Sequence, residues 1–406
     1  MPKILVTTTS YPPAIGGAQL HTHQILKRLS PQFPVQVVTH WAENRTDWLF
    51  GTTLNAPAKP KTYTFEGIPV QLITPTRQER RQLLPYILGY YAIKTKAIEK
   101  IAASLLSKIE PLAHDCKLIH NARIGREPIS FASQKLARKL NIPFIFVPYH
   151  HPRWVGWKYR EYLNLYRQAD ALIALTQTEK QTLIDLGVHE NRIFVTGNGP
   201  NLAEDANPQH FRQMLDLDSD TPLVLFLGQK YPYKGYEALA AAAEIIWTKL
   251  PDTHFLFVGP QTTASKKFFA KQKDRRLIEI GKVDVQQKSD ALTACTLLCL
   301  PSTQESFGGV YTEAWSFGKP VIGANIPAVA EVIDDGINGY VVSPTPEEIA
   351  EKILYLLNNP TVADQLGKAG KQKVIEKYSW DKLAQKTEEI YTTVLTGHYG
   401  TQQFSV

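Results

Sequence analysis

Only three cysteines, Cys116, Cys295 and Cys299, occur in 406 residues. An odd number with no metal-ligand spacing excludes a disulfide framework and a zinc module, and is read as reduced, space-filling thiols in a cytoplasmic chain. No run approaches the roughly 20 apolar residues that a membrane-spanning helix needs, and the longest, such as LVLFLG, are strand-sized. No low-complexity tract is present, and 43% hydrophobic against 20% charged residues excludes a disordered or fibrous chain. The formal charge of +7 favours anionic partners such as nucleotide phosphates or acidic lipid surfaces. With no zinc-finger spacing and no RNA-binding aromatic signature, nucleic acid is not expected. The opening MPKILVTTTSYPP has one early lysine and an apolar run broken by threonines and prolines, so a first strand is expected there rather than a signal peptide.

What is present is a repeated alternation of strand and helix. KILVTTT (3–9) and VQVVT (35–39) flank AQLHTHQILKRLS, whose apolar positions recur at helical spacing, which makes a βαβ unit. KLIH (117–120), ISFASQKLARKL, IPFIFVPY, a tyrosine-rich helical stretch and ADALIALT continue the pattern, as expected of a parallel sheet covered by helices. NLAEDANPQHF is polar and reads as a link between domains. After it TPLVLFLGQ, an alanine-rich helix near 236–250, THFLFVGP, RLIEIGKV, TLLCLPS, GKPVIGAN and NGYVVSP form a second such series. A chain of this length has a prior of two domains of roughly 150 to 200 residues each. The expected division is an N-terminal domain over 1–200, a linker over 201–220, a C-terminal domain over 221–380 and a final helix and tail over 381–406. Both domains are expected to be α/β, Rossmann-like, doubly wound parallel sheets that face a cleft, with ligands outside the carboxyl ends of the strands. YSWDKLAQKTEEIYTTVL is amphipathic, with Trp380, Leu383 and Tyr391 among its buried positions.

The stretch ESFGGVYTE (305–313) follows the apolar run LLCLPS and carries two carboxylates eight positions apart. Gly308 and Gly309 fall at the strand-to-helix turn, where the amides that open a helix and its positive dipole end suit a phosphate. Eight helical residues rise about 12 Å, the scale that separates a sugar from a ribose joined to it by a diphosphate. Carboxylates accept from paired hydroxyls, so a glutamate at each end of a nucleotide sugar is coherent chemistry. Equally open on spacing alone is an exposed loop glutamate at 305 with a helix-entry glutamate at 313 that complements the dipole.

Taken in order along the chain, several stretches resemble those of the retaining glycosyltransferases of family 4, which have the GT-B fold. ESFGGVYTE resembles the family's E-x7-E motif, Tyr11-Pro-Pro-Ala-Ile-Gly-Gly its first glycine loop, and GQKYPYKG its phosphate-binding GR-x4-KG. Ala169-Asp170-Ala-Leu-Ile-Ala, AEVIDDGINGYVVSP and the terminal YSWDKLAQ match in the same order, the last to a helix that in the family crosses back to the first domain. The resemblance implies a hexosyltransferase that moves a sugar with retention from a nucleotide-diphosphate sugar to a glycan or lipid-linked acceptor. It implies no cofactor and no metal, with the nucleotide sugar as co-substrate. Glu305 would contact the donor sugar, Glu313 the ribose, and the amides of Phe307, Gly308 and Gly309 the sugar and phosphates. Lys234 would neutralise the diphosphate as it leaves; the alternative is a solvated loop lysine. Gln229 departs from the family's arginine and brings neither its charge nor its five-donor fork, so the phosphate site is weaker unless Lys230 substitutes; both are candidates for donor binding. Gly16 and Gly17 would approach the donor closely, or simply make a tight turn.

His150, with His151 beside it, ends a strand where the family has a histidine that contacts the donor sugar. His120, Asn121 and Arg123, with His151, stand where an acceptor pocket is expected, with Ala122 in place of a second histidine. His21 and His23 are read as structural. Asp216-Leu-Asp218 is read as a turn rather than a metal motif. The segment RQERRQLLPYILGYYAIKTKAIEK (77–100) is basic and aromatic: it either lies on an acidic membrane, peripheral to its inner face, or packs in the core with a solvated basic face. Two other functions remain open: a nucleotide-sugar epimerase, which needs no acceptor, and a nucleotide-sugar-binding protein that transfers nothing.

Overall fold

The computed structural model describes residues 1–14, 16–41, 49–57, 59–122, 128–150, 154 and 156–397. The chain forms two compact units, Met1–Thr196 with Trp380–Val406, and Gly197–Ser379.

The first unit holds eight strands: β1 (Lys3–Ser10), β2 (Val35–Trp41), β3 (Lys61–Phe65), β4 (Ile68–Leu72), β5 (Cys116–Ala122), β6 (Phe144–Val147), β7 (Ala171–Ala174) and β8 (Ile193–Val195). They lie in the order β3-β4-β2-β1-β5-β6-β7-β8. Successive side chains alternate between two cores, as the pleat requires. Ile4, Val6, Leu118, Ile145 and Ile173 pack with the Gly17–Leu29 helix and with Trp380, Leu383 and Tyr391 of the Trp380–Thr396 helix. Leu5, Ile119, Phe144, Phe146 and Leu172 face the other way, among residues of the Arg77–Leu88, Lys94–Ile109, Ile129–Leu140 and Arg160–Arg167 helices. One edge differs from the purely parallel expectation. β3 and β4 pair antiparallel through the two residues Glu66 and Gly67, at φ of 44° and 83°. Two central residues with positive φ suit the twist of a tight hairpin. The signal was in TFEGIP, where a glycine follows a polar residue between two β-branched stretches.

The second unit holds β9 (Leu223–Leu227), β10 (His254–Val258), β11 (Leu277–Ile280), β12 (Leu297–Leu300), β13 (Val321–Ala324) and β14 (Gly339–Val342), all parallel, in the order β11-β10-β9-β12-β13-β14. Every residue of β9 is buried, as a central strand covered on both faces must be. This is the doubly wound order whose winding reverses between β9 and β12, and the rule for such sheets puts a ligand beside the loops that leave those two strands.

The expected linker over 201–220 is corrected: it lies within the second unit, which begins at Gly197. Its backbone is pinned to the Val285–Ala294 helix, with the Ala203 amide donating to Ser289 Oγ at 2.8 Å and the Asn207 amide to Asp290 Oδ1 at 2.6 Å. The polar composition that suggested a free linker serves these contacts instead. The three cysteines are unpaired and buried, and burial pushes the Cys116 and Cys295 thiols up to about 11. No helix among the described residues is long and apolar enough to cross a membrane.

Candidate active site

At the switch point of the second sheet, the chain leaves β9 through Gly228 and turns at Pro232–Lys234 into the helix Tyr236–Trp247. Gly235 caps that helix at φ 79°, and a Cβ there would stand 2.4 Å from the Pro301 carbonyl, so the loops after β9 and β12 touch only because this residue is glycine. The loop after β12 runs from Pro301 to Gly308 and enters the helix Gly309–Ser316. Gly308 caps it at φ 80°, and a Cβ there would collide with the Tyr311 ring at 2.4 Å. Tyr311 is fully buried and donates to the Leu300 carbonyl at 3.0 Å. Burial, and after it the Glu305 carboxylate, pushes its phenol well up, so it stays a neutral prop under the turn.

On this frame the two carboxylates take different partners. Glu305, in the loop, accepts from Lys234 Nζ at 2.5 Å, both side chains being mostly buried. Glu313, one turn into the helix, accepts at Oε1 from Lys288 Nζ at 2.5 Å and from the Asn201 amide at 3.4 Å. A Cβ on Gly309 would stand 2.9 Å from the side-chain nitrogen Nδ2 of Asn198. The Lys234–Glu305 pair, the glycine turn and the first amides of a helix thus occupy the loops where the sheet topology puts a ligand, with the Lys288–Glu313 pair held between two helices.

Gln229 is exposed and Lys230 fully buried. The Lys230 ammonium donates to the Gly259 carbonyl at 2.6 Å, the Ile280 carbonyl at 2.6 Å and Glu279 Oε1 at 2.5 Å. An ammonium has three N–H groups, and all three are spent. Burial lowers its pKa, partly offset by Glu279. Lys230 therefore does not stand in for the missing arginine, and its assignment to donor binding is corrected: it ties the end of β9 to β10 and β11.

In the first unit Gly16 opens the Gly17–Leu29 helix in an extended conformation, and among the described residues a Cβ on Gly17 would meet nothing within 4 Å. His21 and His23 are buried, hydrogen-bonded to the hydroxyls of Tyr149 and Tyr11 at 2.9 and 2.8 Å. His150 is 4% exposed; its amide donates to Glu179 Oε1 at 2.7 Å and its Nδ1 lies 3.3 Å from the Tyr166 hydroxyl. Glu179 is buried and also accepts the Leu175 amide at 2.7 Å, tying the loops after β6 and β7 together. Two expectations for an acceptor pocket are corrected. His120 lies inside β5, with Nδ1 2.8 Å from the Tyr391 hydroxyl of the last helix. Burial, with His21 beside it, pushes its imidazole down to about 3. Asn121, 0% exposed, donates to the Thr7 carbonyl at 3.0 Å and Thr7 Oγ1 at 2.9 Å. Neither presents a group to a ligand from outside. Arg123 and His151 lie outside the described residues.

Lys288, Asn198, Asn201 and Glu179 carry much of this geometry and went unnoticed in the sequence. A signal existed for Lys288, a cation in the first turn of a helix, on the wrong end of its dipole. Among the described residues no group of three or more His, Cys, Asp or Glu could hold a metal ion.

Comparison with known proteins agrees with this construction. Residues 15–204 match the family model described as Glycosyltransferase Family 4, and residues 208–373 the one described as Glycosyl transferases group 1. An uncharacterized glycosyltransferase of Methanocaldococcus jannaschii is 25% identical over 96% of this chain and 97% of its own length. Phosphatidyl-myo-inositol mannosyltransferase of Mycobacterium tuberculosis is 30% identical over 42% of this chain and 47% of its own. The crystal structure of Anabaena HepE in complex with UDP and glucose superposes with a TM-score of 0.73 over 97% of this chain and all of that one, at 20% identity, a likeness of fold. With both halves matched in order and two doubly wound sheets of the GT-B kind, the chain belongs to the family 4, group 1 glycosyltransferases.

Proposed function

We propose that this enzyme transfers a hexose, with retained anomeric configuration and without a metal, from a nucleotide-diphosphate sugar to a glycan or lipid-linked acceptor. The observation that carries the reading is the Lys234–Glu305 pair at 2.5 Å, set at the switch point of the second sheet beside the Gly308–Gly309 helix entry. A diphosphate offered to this site meets an ammonium and helix amides, which stabilise charge as it develops on the leaving group. Lys234 is then the sole side-chain cation of its own loop for this task, since Lys230 is spent and position 229 is glutamine. As Lys234 turns toward the phosphates, Glu305 is released to accept a hydroxyl of the sugar.

In the transfer, the bond between the anomeric carbon and the diphosphate oxygen breaks and a bond to the acceptor oxygen forms on the same face. The acceptor's proton passes to the departing phosphate oxygen, so no side chain is needed as a nucleophile. Glu313 takes the ribose. Gly16 and Gly17 of the first unit, the latter with no described atom within 4 Å of a Cβ, are assigned to the donor's approach.

For the acceptor, the segment over 77–100 gives the reading its lipid side. Leu83, Ile87 and Tyr90 pack inward, while Leu84 (42%), Leu88 (68%), Tyr91 (46%) and Ile93 (41%) stay exposed together with Trp157 (54%). Tyr91 and Trp157 are edge to face at 5.7 Å, and Lys158 lies over Tyr91. Arg77, Arg81, Lys96 and Lys100 of the same segment are exposed, as is Glu99. Exposed aromatic and apolar groups on a segment with an excess of cations suit the interface of an acidic membrane.

The test is incubation of the pure protein with UDP-, GDP- and ADP-hexoses and candidate acceptors, with chelator present, reading released nucleoside diphosphate and the anomeric coupling of the product. Retained configuration under chelation is expected. Inverted product, or transfer lost on chelation and restored by a divalent ion, would refute it.

A further inference from the structure

Lys288 is a cation where a helix least favours one. It is the fourth residue of the Val285–Ala294 helix, whose N-terminus is closed by a reciprocal capping box between Asp284 and Gln287. The dipole at that end favours anions. Its long side chain is nonetheless ordered and mostly buried, 17% exposed, against a Glu313 side chain that is 11% exposed. The surroundings hold that helix end firmly: Gln286 donates to the Asp205 carbonyl at 2.6 Å, Ser289 takes the Ala203 amide and Asp290 the Asn207 amide. The same stretch of backbone sends the Asn201 amide to Glu313 Oε1. Both donors meet the carboxylate at Oε1, and among the described residues Oε2 accepts nothing.

We infer that Lys288 is a positioning residue for ribose recognition: it holds Glu313 by Oε1 and thereby presents Oε2 to the 2′- and 3′-hydroxyls of the donor nucleotide. The inference rests on the donor-site reading above, in which Glu313 takes the ribose. A carboxylate so enclosed needs its counter-charge; without Lys288 it would rotate toward water and lose the aimed acceptor. Lys288 itself makes no contact with the nucleotide in this account, so its effect passes through Glu313.

The experiment is calorimetric titration of the full chain with UDP, GDP and ADP, and with the 2′,3′-dideoxy form of whichever binds. The wild type is expected to favour the ribonucleotide by about tenfold or more, the scale of a charge-assisted hydrogen bond. Lys288→Met should weaken the ribonucleotide until the ratio falls to about one to three, leave the dideoxy affinity unchanged, and add nothing to Glu313→Gln in the double variant. Lys288→Arg should restore most of the ratio, which shows that a folded protein with a cation at 288 suffices. A wild-type ratio kept in Lys288→Met, or equal weakening of both nucleotides, would overturn the inference while leaving the donor site in place. Wild type that binds ribo and dideoxy forms alike would overturn the ribose reading of Glu313 itself.

Discussion

The two units present the same architecture and treat their polar residues in opposite ways. In the second, charged residues beyond the carboxyl ends of the central strands meet as ion pairs: Lys234 with Glu305 between the loops after β9 and β12, and Lys288 of the Val285–Ala294 helix with Glu313 of the Gly309–Ser316 helix. In the first, the polar residues singled out on β5 are sealed inside it, His120 under Tyr391 and Asn121 against Thr7. The difference is one of position relative to the strand end. Glu305 lies five residues beyond the last residue of β12 (Leu300), whereas His120 and Asn121 lie within β5. A polar residue past a strand's carboxyl end can face a ligand; the same residue two positions earlier must find its partner in the core.

This comparison should break most visibly at Lys234. Lys234→Met and Glu305→Gln should each lower kcat by about 100-fold or more, the usual scale for the loss of a group aimed at developing charge, whereas His120→Gln should leave kcat within about threefold. A large kcat loss in His120→Gln, measured with saturating donor, would contradict its structural role.

Acid separates the units next. The His120 imidazole has a folded pKa of about 3, below its ordinary value. Its contribution is therefore full above an unfolded pKa of about 6.5 and lost as pH falls from there towards the folded value, about 2 kcal/mol being gone by pH 5. His40, pushed down to about 4 by burial alone, acts in the same direction. Thermal denaturation followed between pH 7 and pH 5 should show a falling Tm, with a shallower slope in His120→Gln. An unchanged slope would remove His120 as a source.

Two smaller effects sharpen the contrast. Gln229→Arg puts a fork of donors on the exposed position beside Lys234 and should tighten nucleoside diphosphate binding by about tenfold, while Lys230→Met should lower Tm through loss of its three buried bonds. In the first unit, Leu88→Glu should weaken sedimentation with phosphatidylserine vesicles several-fold; equal binding to neutral vesicles, or no effect of the substitution, would assign the exposed apolar face elsewhere.

Much of this was legible in the chain. Apolar runs bounded by glycine and proline gave eleven of the strand positions, all but β3, β4 and β8, because a central parallel strand has no polar face to disguise it. ESFGGVYTE gave its own turn, since the glycines mark the only backbone that can carry it. What escaped has a common cause. KLIHNA reads equally as a strand ending at His120 or at Ala122, and only pairing decides; the register carries β5 to Ala122 against Val147. In GQKYP, which of two adjacent side chains turns inward depends on carbonyls 29 and 50 residues away, those of Gly259 and Ile280. The Lys288 contact joins residues 25 apart through the fold alone.

The most direct test of the central claim, that the loops after β9 and β12 bind the diphosphate of a donor, is calorimetry of UDP, GDP and ADP on wild type and on Lys234→Met. One nucleotide should bind the wild type, and the variant should lose about 100-fold in affinity, two steps of 1.4 kcal/mol. Binding that survives intact in Lys234→Met, or no binding of any of the three at millimolar concentration, would contradict the account.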